Sequence, residues 1–219
     1  MEKRLHVDLR TSSYEDFVDF VFNHVPEDEV NDKWYWQVRL DVAVDPRVVI
    51  GYLTRLCKEP TPLLMRFTVR QFTEGVNFLF GAGGGKWFRD QLWNSDVPWI
   101  ERRECILAIP ELYTHIFEDH DDGGLGFMLW DEIAYGYTSG SRAPEANPED
   151  ARVQQAMFEA LTAMLRSENP DTLAGAVHGL GHLRHPDSNR AIRALLASDR
   201  ALDPELRSYA AEVLEEHFQ

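Results

Sequence analysis

Ala176-Val177-His178-Gly179-Leu180-Gly181-His182-Leu183-Arg184-His185-Pro186-Asp187-Ser188 is the stretch on which the fold turns. Val177 and Leu180, with Leu173 a turn earlier, recur at helical spacing until Pro186-Asp187 interrupts them, and Ile192, Leu195 and Leu196 then begin a new apolar stripe. The same punctuation recurs on both sides. Pro148, Pro170, Pro186 and Pro204, preceded by Asn147, Asn169, His185 and Asp203, each read as the opening of a helix. Val153, Met157, Ala160, Leu161 and Met164 give the first of these helices its buried face, and Leu206, Tyr209, Ala210 and Val213 give the last its own.

Alternate prolines stand 38 residues (148 to 186) and 34 residues (170 to 204) apart, close to the period of two-helix solenoid units. Leu180-Gly181-His182-Leu183, the Pro186-Asp187 turn and the following Ile/Leu face resemble a HEAT-like repeat of the PBS-lyase type. The resemblance covers residues 147–219 and implies a mainly α fold, an α-α superhelix of the HEAT-like or ARM type, whose units bury apolar surface by stacking. Iron-binding enzymes of that type carry His-Glu pairs. This chain has no His-Glu dipeptide and departs from them there.

Upstream, residues 46–138 read as further helices on which the repeats pack in one layer. Asp45-Pro46 supplies a cap and a first-turn proline, and Thr68-x-x-Gln71 is a capping box. Further helices are expected over Lys86–Trp93, Pro98–Phe117, interrupted at Pro110, and Phe127–Tyr137. Residues 1–45 read as a small α+β cap. Leu5, Val7 and Leu9 alternate as a strand, Ser13-x-x-Asp16 opens a helix, and a second alternation runs from Trp34 to Val44. The direction of strand pairing is left open.

The formal net charge of −15 opposes binding to phosphate backbones or anionic lipid, so no nucleic-acid and no membrane partner is expected. No apolar leader opens the chain and no run reaches membrane-spanning length, from which a cytoplasmic location is expected. Cys57 and Cys105 lie in predicted helices without metal-ligand spacing and read as buried thiols.

Nine carboxylates and one basic residue, Arg142, fall between Glu118 and Asp150. That concentration suggests a non-enzymatic interaction module that docks a basic protein, in an immunity-like or antitoxin-like role, with Glu118, Asp119, Asp121, Asp122, Asp131 and Glu132 as contacts. A calcium loop at Glu118–Gly124 fails on spacing, because a twelve-residue frame from Asp119 ends on Trp130. His178, His182 and His185 lie at i, i+4 and i+7 on one side of a helix, opposite Leu173, Val177 and Leu180. They form a candidate metal stripe without an evident third ligand, so no cofactor is expected and the histidines read as surface or inter-helix residues. An enzymatic alternative is a metal-dependent hydrolase or hydroxylase that adds His120 and Asp119, Asp121 or Asp122 to His178 and His182. A further alternative is a structural homo-oligomer joined through exposed tryptophans. Gly81-Ala82-Gly83-Gly84-Gly85-Lys86-Trp87 lacks the first glycine and the hydroxyl of a phosphate loop and reads as a flexible connection.

Overall fold

Two strands open the architecture, β1 (Lys3–Asp8) and β2 (Val38–Ala43), paired in parallel with Leu5 opposite Leu40 and Val7 opposite Val42. A parallel pair needs a crossover, and α1 (Tyr14–Phe22) lies between the two strands in the chain. The Ser13–Asp16 capping box starts α1, which buries Phe17, Val18, Val21 and Phe22. The computed structural model describes residues 3–24, 33–120 and 123–215.

The second strand is shorter than its alternation predicts. Trp34–Trp36 form a 3-10 turn instead. Their rings explain the difference: Trp34 stacks on His24 at 3.7 Å and lies 4.8 Å from Phe78, while Tyr35 lies 5.1 Å from Phe78. Aromatic packing on the helix below outweighs a pattern that is only a proxy for fitting a pleated surface.

Helices account for most of the remaining described chain: α2 (Pro46–Lys58), the short α3 (Thr61–Leu64), α4 (Val69–Phe80), α5 (Trp99–Ala108), α6 (Leu125–Thr138), α7 (Pro148–Met164), α8 (Pro170–Leu183), α9 (Ser188–Leu196) and α10 (Pro204–Glu215). None is long and apolar enough to cross a membrane. Asp45, Asn147, Asn169 and Asp203 accept from first-turn amides as their positions suggest. Pro186 does not open its helix, because α9 begins at Ser188, after the His185 imidazole accepts from the Asp187 amide. The expected Lys86–Trp93 helix shrinks to a 3-10 turn over Arg89–Trp93. Beyond Pro110 the chain continues as a π turn, Tyr113–Phe117.

The glycine run after α4 is packed, contrary to the flexible connection expected of it. A Cβ on Gly83 would stand 2.5 Å from the Tyr35 ring, and one on Gly84 2.7 Å from the Phe78 carbonyl oxygen. These glycines admit close approach to an aromatic core and offer no cradle for phosphate.

Helix α8 is buried on several faces, with α6, α7, α9 and α10 all packed against it. Its closest neighbour is α6. Cβ atoms on Gly175 and Gly179 would meet the Gly126 carbonyl oxygen at 2.8 Å and the Trp130 Cβ at 2.6 Å. Two missing side chains one turn apart thus set the helix separation.

Candidate metal centre between two helices

Positions 175, 178, 179 and 182 share one face of α8 because 3.6 residues complete a turn. The glycines bring that face against α6, and the imidazoles of His178 and His182 therefore enter the seam. His178 is buried: the face opposite the Leu173/Val177/Leu180 stripe is covered by a second helix, so of the two places expected for these histidines, surface or inter-helix, His178 takes the second.

A third potential donor comes from α6. The Asp131 Oδ1 stands 3.2 Å from His182 Nδ1, and one donor atom each of Asp131, His178 and His182 lie within 4.8 Å of one another. The two imidazole centroids are 4.6 Å apart. Thr138, two turns beyond Asp131, donates its hydroxyl to the His182 carbonyl at 2.9 Å, with the same oxygen 3.3 Å from His182 Nδ1. His178 is held from two sides. Phe127 stacks on its ring at 4.3 Å, and the Tyr209 hydroxyl from α10 lies 2.6 Å from its Nδ1.

Burial, aided by the neighbouring His182 and opposed by Asp131, lowers the pKa of His178 to about 4. That of His182 is also lowered, first by burial and further by Arg184, with Asp131 opposing. Both imidazoles are therefore neutral near pH 7, the state in which a ring nitrogen offers a lone pair to a cation. The group is not sealed off: the side chains of His182 and Asp131 are 14% and 23% exposed.

His185 does not join them. Helix α8 ends at Leu183, and Arg184 adopts a left-handed backbone (φ 52°), which takes the next residue off the helical face. The His185 ring instead stacks on Phe158 of α7 at 4.1 Å, with Nε2 3.1 Å from the Gln155 Oε1. His120 is also elsewhere, on the rim of a cavity of about 280 Å³ walled by Tyr113, Phe117 and Phe127. Among the described residues the metal-competent group is Asp131, His178 and His182.

Several of the clustered carboxylates are engaged within the chain. Glu118 accepts from Ser167 Oγ at 3.0 Å and Thr172 Oγ1 at 2.8 Å. Glu132 pairs with Arg89 at 3.4 Å, and burial raises its pKa. Glu149 meets the buried Arg102 at 2.9 Å, and Asp150 accepts from the Ala143 amide. Asp119 is exposed, whereas Asp121 and Asp122 lie outside the described residues. Of the tryptophans, Trp36 is exposed at 54%, whereas Trp34, Trp87, Trp93 and Trp99 are partly buried against the core and Trp130 is fully buried. Cys57 and Cys105 are free buried thiols, with burial pushing that of Cys105 up to about 12. No family model, curated protein or solved structure matches the chain.

Proposed function

We propose that this protein binds a divalent transition-metal ion of the zinc class between α6 and α8, and that the bound ion serves metal-dependent hydrolysis. The observation that carries the reading is the placement of Asp131, His178 and His182, with donor atoms mutually within 4.8 Å, on two helices fixed against each other. Tetrahedral zinc with bonds of ~2.1 Å needs donors about 3.4 Å apart, so modest side-chain rotation closes the site. Imidazole and carboxylate donors suit zinc or iron, while calcium and magnesium favour oxygen alone.

Three protein ligands leave a fourth position for water, whose pKa a zinc-class ion lowers to about 7. The partial exposure of Asp131 and His182 supplies the approach such water needs. Titration with Co2+, followed by visible absorption and competed with Zn2+, tests the binding. Wild type should bind one equivalent, and His182→Ala should bind more than ~100-fold more weakly, beyond the 10–100-fold typical of losing an outer partner. A wild type that binds neither ion refutes the proposal.

A second reading draws on the net charge of −15 and the exposed Asp119 and Glu145: a HEAT-like scaffold that docks a basic protein in an immunity-like role. On that reading, capture of a basic partner weakens steeply between 50 and 500 mM salt. Salt-independent capture counts against it.

A further inference from the structure

Helix α10 reaches the metal centre with one polar atom. Leu206, Ala210 and Val213 bury its apolar stripe, and Tyr209 projects from the same helix onto His178, its ring 5.7 Å from Phe127 and its hydroxyl 2.6 Å from the imidazole Nδ1. A hydroxyl both donates and accepts, and a neutral imidazole carries one N–H and one lone pair. The contact therefore has two forms. Either Tyr209 donates to Nδ1 while Nε2 carries the hydrogen, or Nδ1–H donates to Tyr209 while Nε2 carries the lone pair.

Only the second form leaves His178 able to bind a cation, because the tyrosine already occupies the direction of the Nδ1 lone pair. We propose that Tyr209 is the positioning residue of this centre: on metal binding its hydroxyl becomes the acceptor for Nδ1–H, fixing His178 as the tautomer that ligates through Nε2. The inference rests on the metal-binding reading above. It adds which ring nitrogen of His178 is the ligand, and it makes α10 part of the metal site.

The second consequence is reciprocal. A metal-bound imidazole is a stronger N–H donor than a free one, so the hydrogen bond to Tyr209 tightens when the ion binds. Whatever α10 docking adds to metal affinity, the metal adds to α10 docking. Occupancy of a seam between α6 and α8 is thereby communicated to the helix beyond them.

Tyr209→Phe keeps the ring against Phe127 and removes only the oxygen, so it isolates the hydrogen bond. Full-length wild type and variant are titrated with Co2+, and amide exchange is recorded with and without Zn2+. The expected results are a 10–100-fold weaker Co2+ affinity in the variant and α10 amides that Zn2+ protects in wild type but not in the variant. Nitrogen-15 spectra of zinc-loaded wild type should show His178 protonated at Nδ1. This last readout decides the matter should the variant fold poorly, and one that a merely structural tyrosine would not produce. Equal Co2+ affinity in the two proteins, unchanged α10 exchange, or a zinc-loaded His178 protonated at Nε2 overturns the role of Tyr209 while leaving the metal site standing. No Co2+ binding by wild type overturns both.

Discussion

Two histidine–aspartate pairs in this molecule have the same contact distance and different surroundings. His6 and Asp41 face each other across the parallel β1–β2 register, and His182 and Asp131 face each other across the α6–α8 seam; each pair has an Nδ1 to carboxylate distance of 3.2 Å. The sheet pair is 63% and 48% exposed, the seam pair 14% and 23%. Water screens the first and competes for its hydrogen bonds. The second has a further imidazole beside it, a hydroxyl behind it and an aromatic ring above that imidazole. Distance alone therefore says little about what a pair can do. The capacity to hold an ion comes from helices that remove water and converge several donors on one point.

The strongest way to break the comparison is to force the seam apart. Gly179→Ala places a methyl group 2.6 Å from the Trp130 Cβ and 2.7 Å from a Leu161 methyl, both on well-packed side chains. Overpacking of this kind costs about 1–3 kcal/mol. The same displacement separates Asp131 from the histidines, so Co2+ affinity should fall with stability, as parallel denaturant and metal titrations would reveal. An alanine variant with wild-type stability and wild-type binding would show that the glycine does not set the helix separation.

Acid distinguishes the seam more gently. In metal-free protein, the pKa of His178 is lowered to about 4 from an unfolded value near 6.5, chiefly by burial. Between those values the unfolded chain binds a proton that the folded chain refuses, so the folded state loses stability as pH falls from about 6.5 towards 4. His182 and His185, also lowered by burial, contribute with the same sign. Urea midpoints at pH 7, 6 and 5 should therefore decline, and His178→Gln should flatten part of that decline. A midpoint independent of pH in this window would contradict neutral imidazoles in the seam.

Much of this was legible in local chemistry. Ser13 and Asp16, Thr68 and Gln71, and Asp45-Pro46 announce their helices because capping is decided within one turn. His178 and His182 were visible as a pair for the same reason. Asp131 stood in the acidic segment and read only as a docking contact, since only tertiary packing joins α6 to α8. A further signal lies in the sequence itself: Gly175 and Gly179 share the histidine face, and small residues one turn apart mark where another helix comes close. His185 misled because its spacing continues the helix beyond Leu183, whereas the left-handed Arg184 ends it. The alternation from Trp34 misled because period two cannot register rings that pack elsewhere, Trp34 on His24 and Phe78 and Tyr35 on Phe78.

The smallest expected effect sharpens the comparison from its other side. Asp41→Asn removes the partner of His6 and of Arg4, whose hydrogen bonds hold the Asp41 carboxyl below its usual range. All three side chains are exposed, so water replaces the lost contacts and salt already weakens them. The β1–β2 backbone ladder and the buried Val42 do not depend on that carboxylate. The unfolding midpoint should therefore stay within experimental error of wild type, and Co2+ binding should be unchanged, even though the substitution breaks a histidine contact as short as the one in the seam. A clear loss of stability in Asp41→Asn that persists in 0.5 M salt would mean that the sheet pair is not screened, and that burial is not what separates the two.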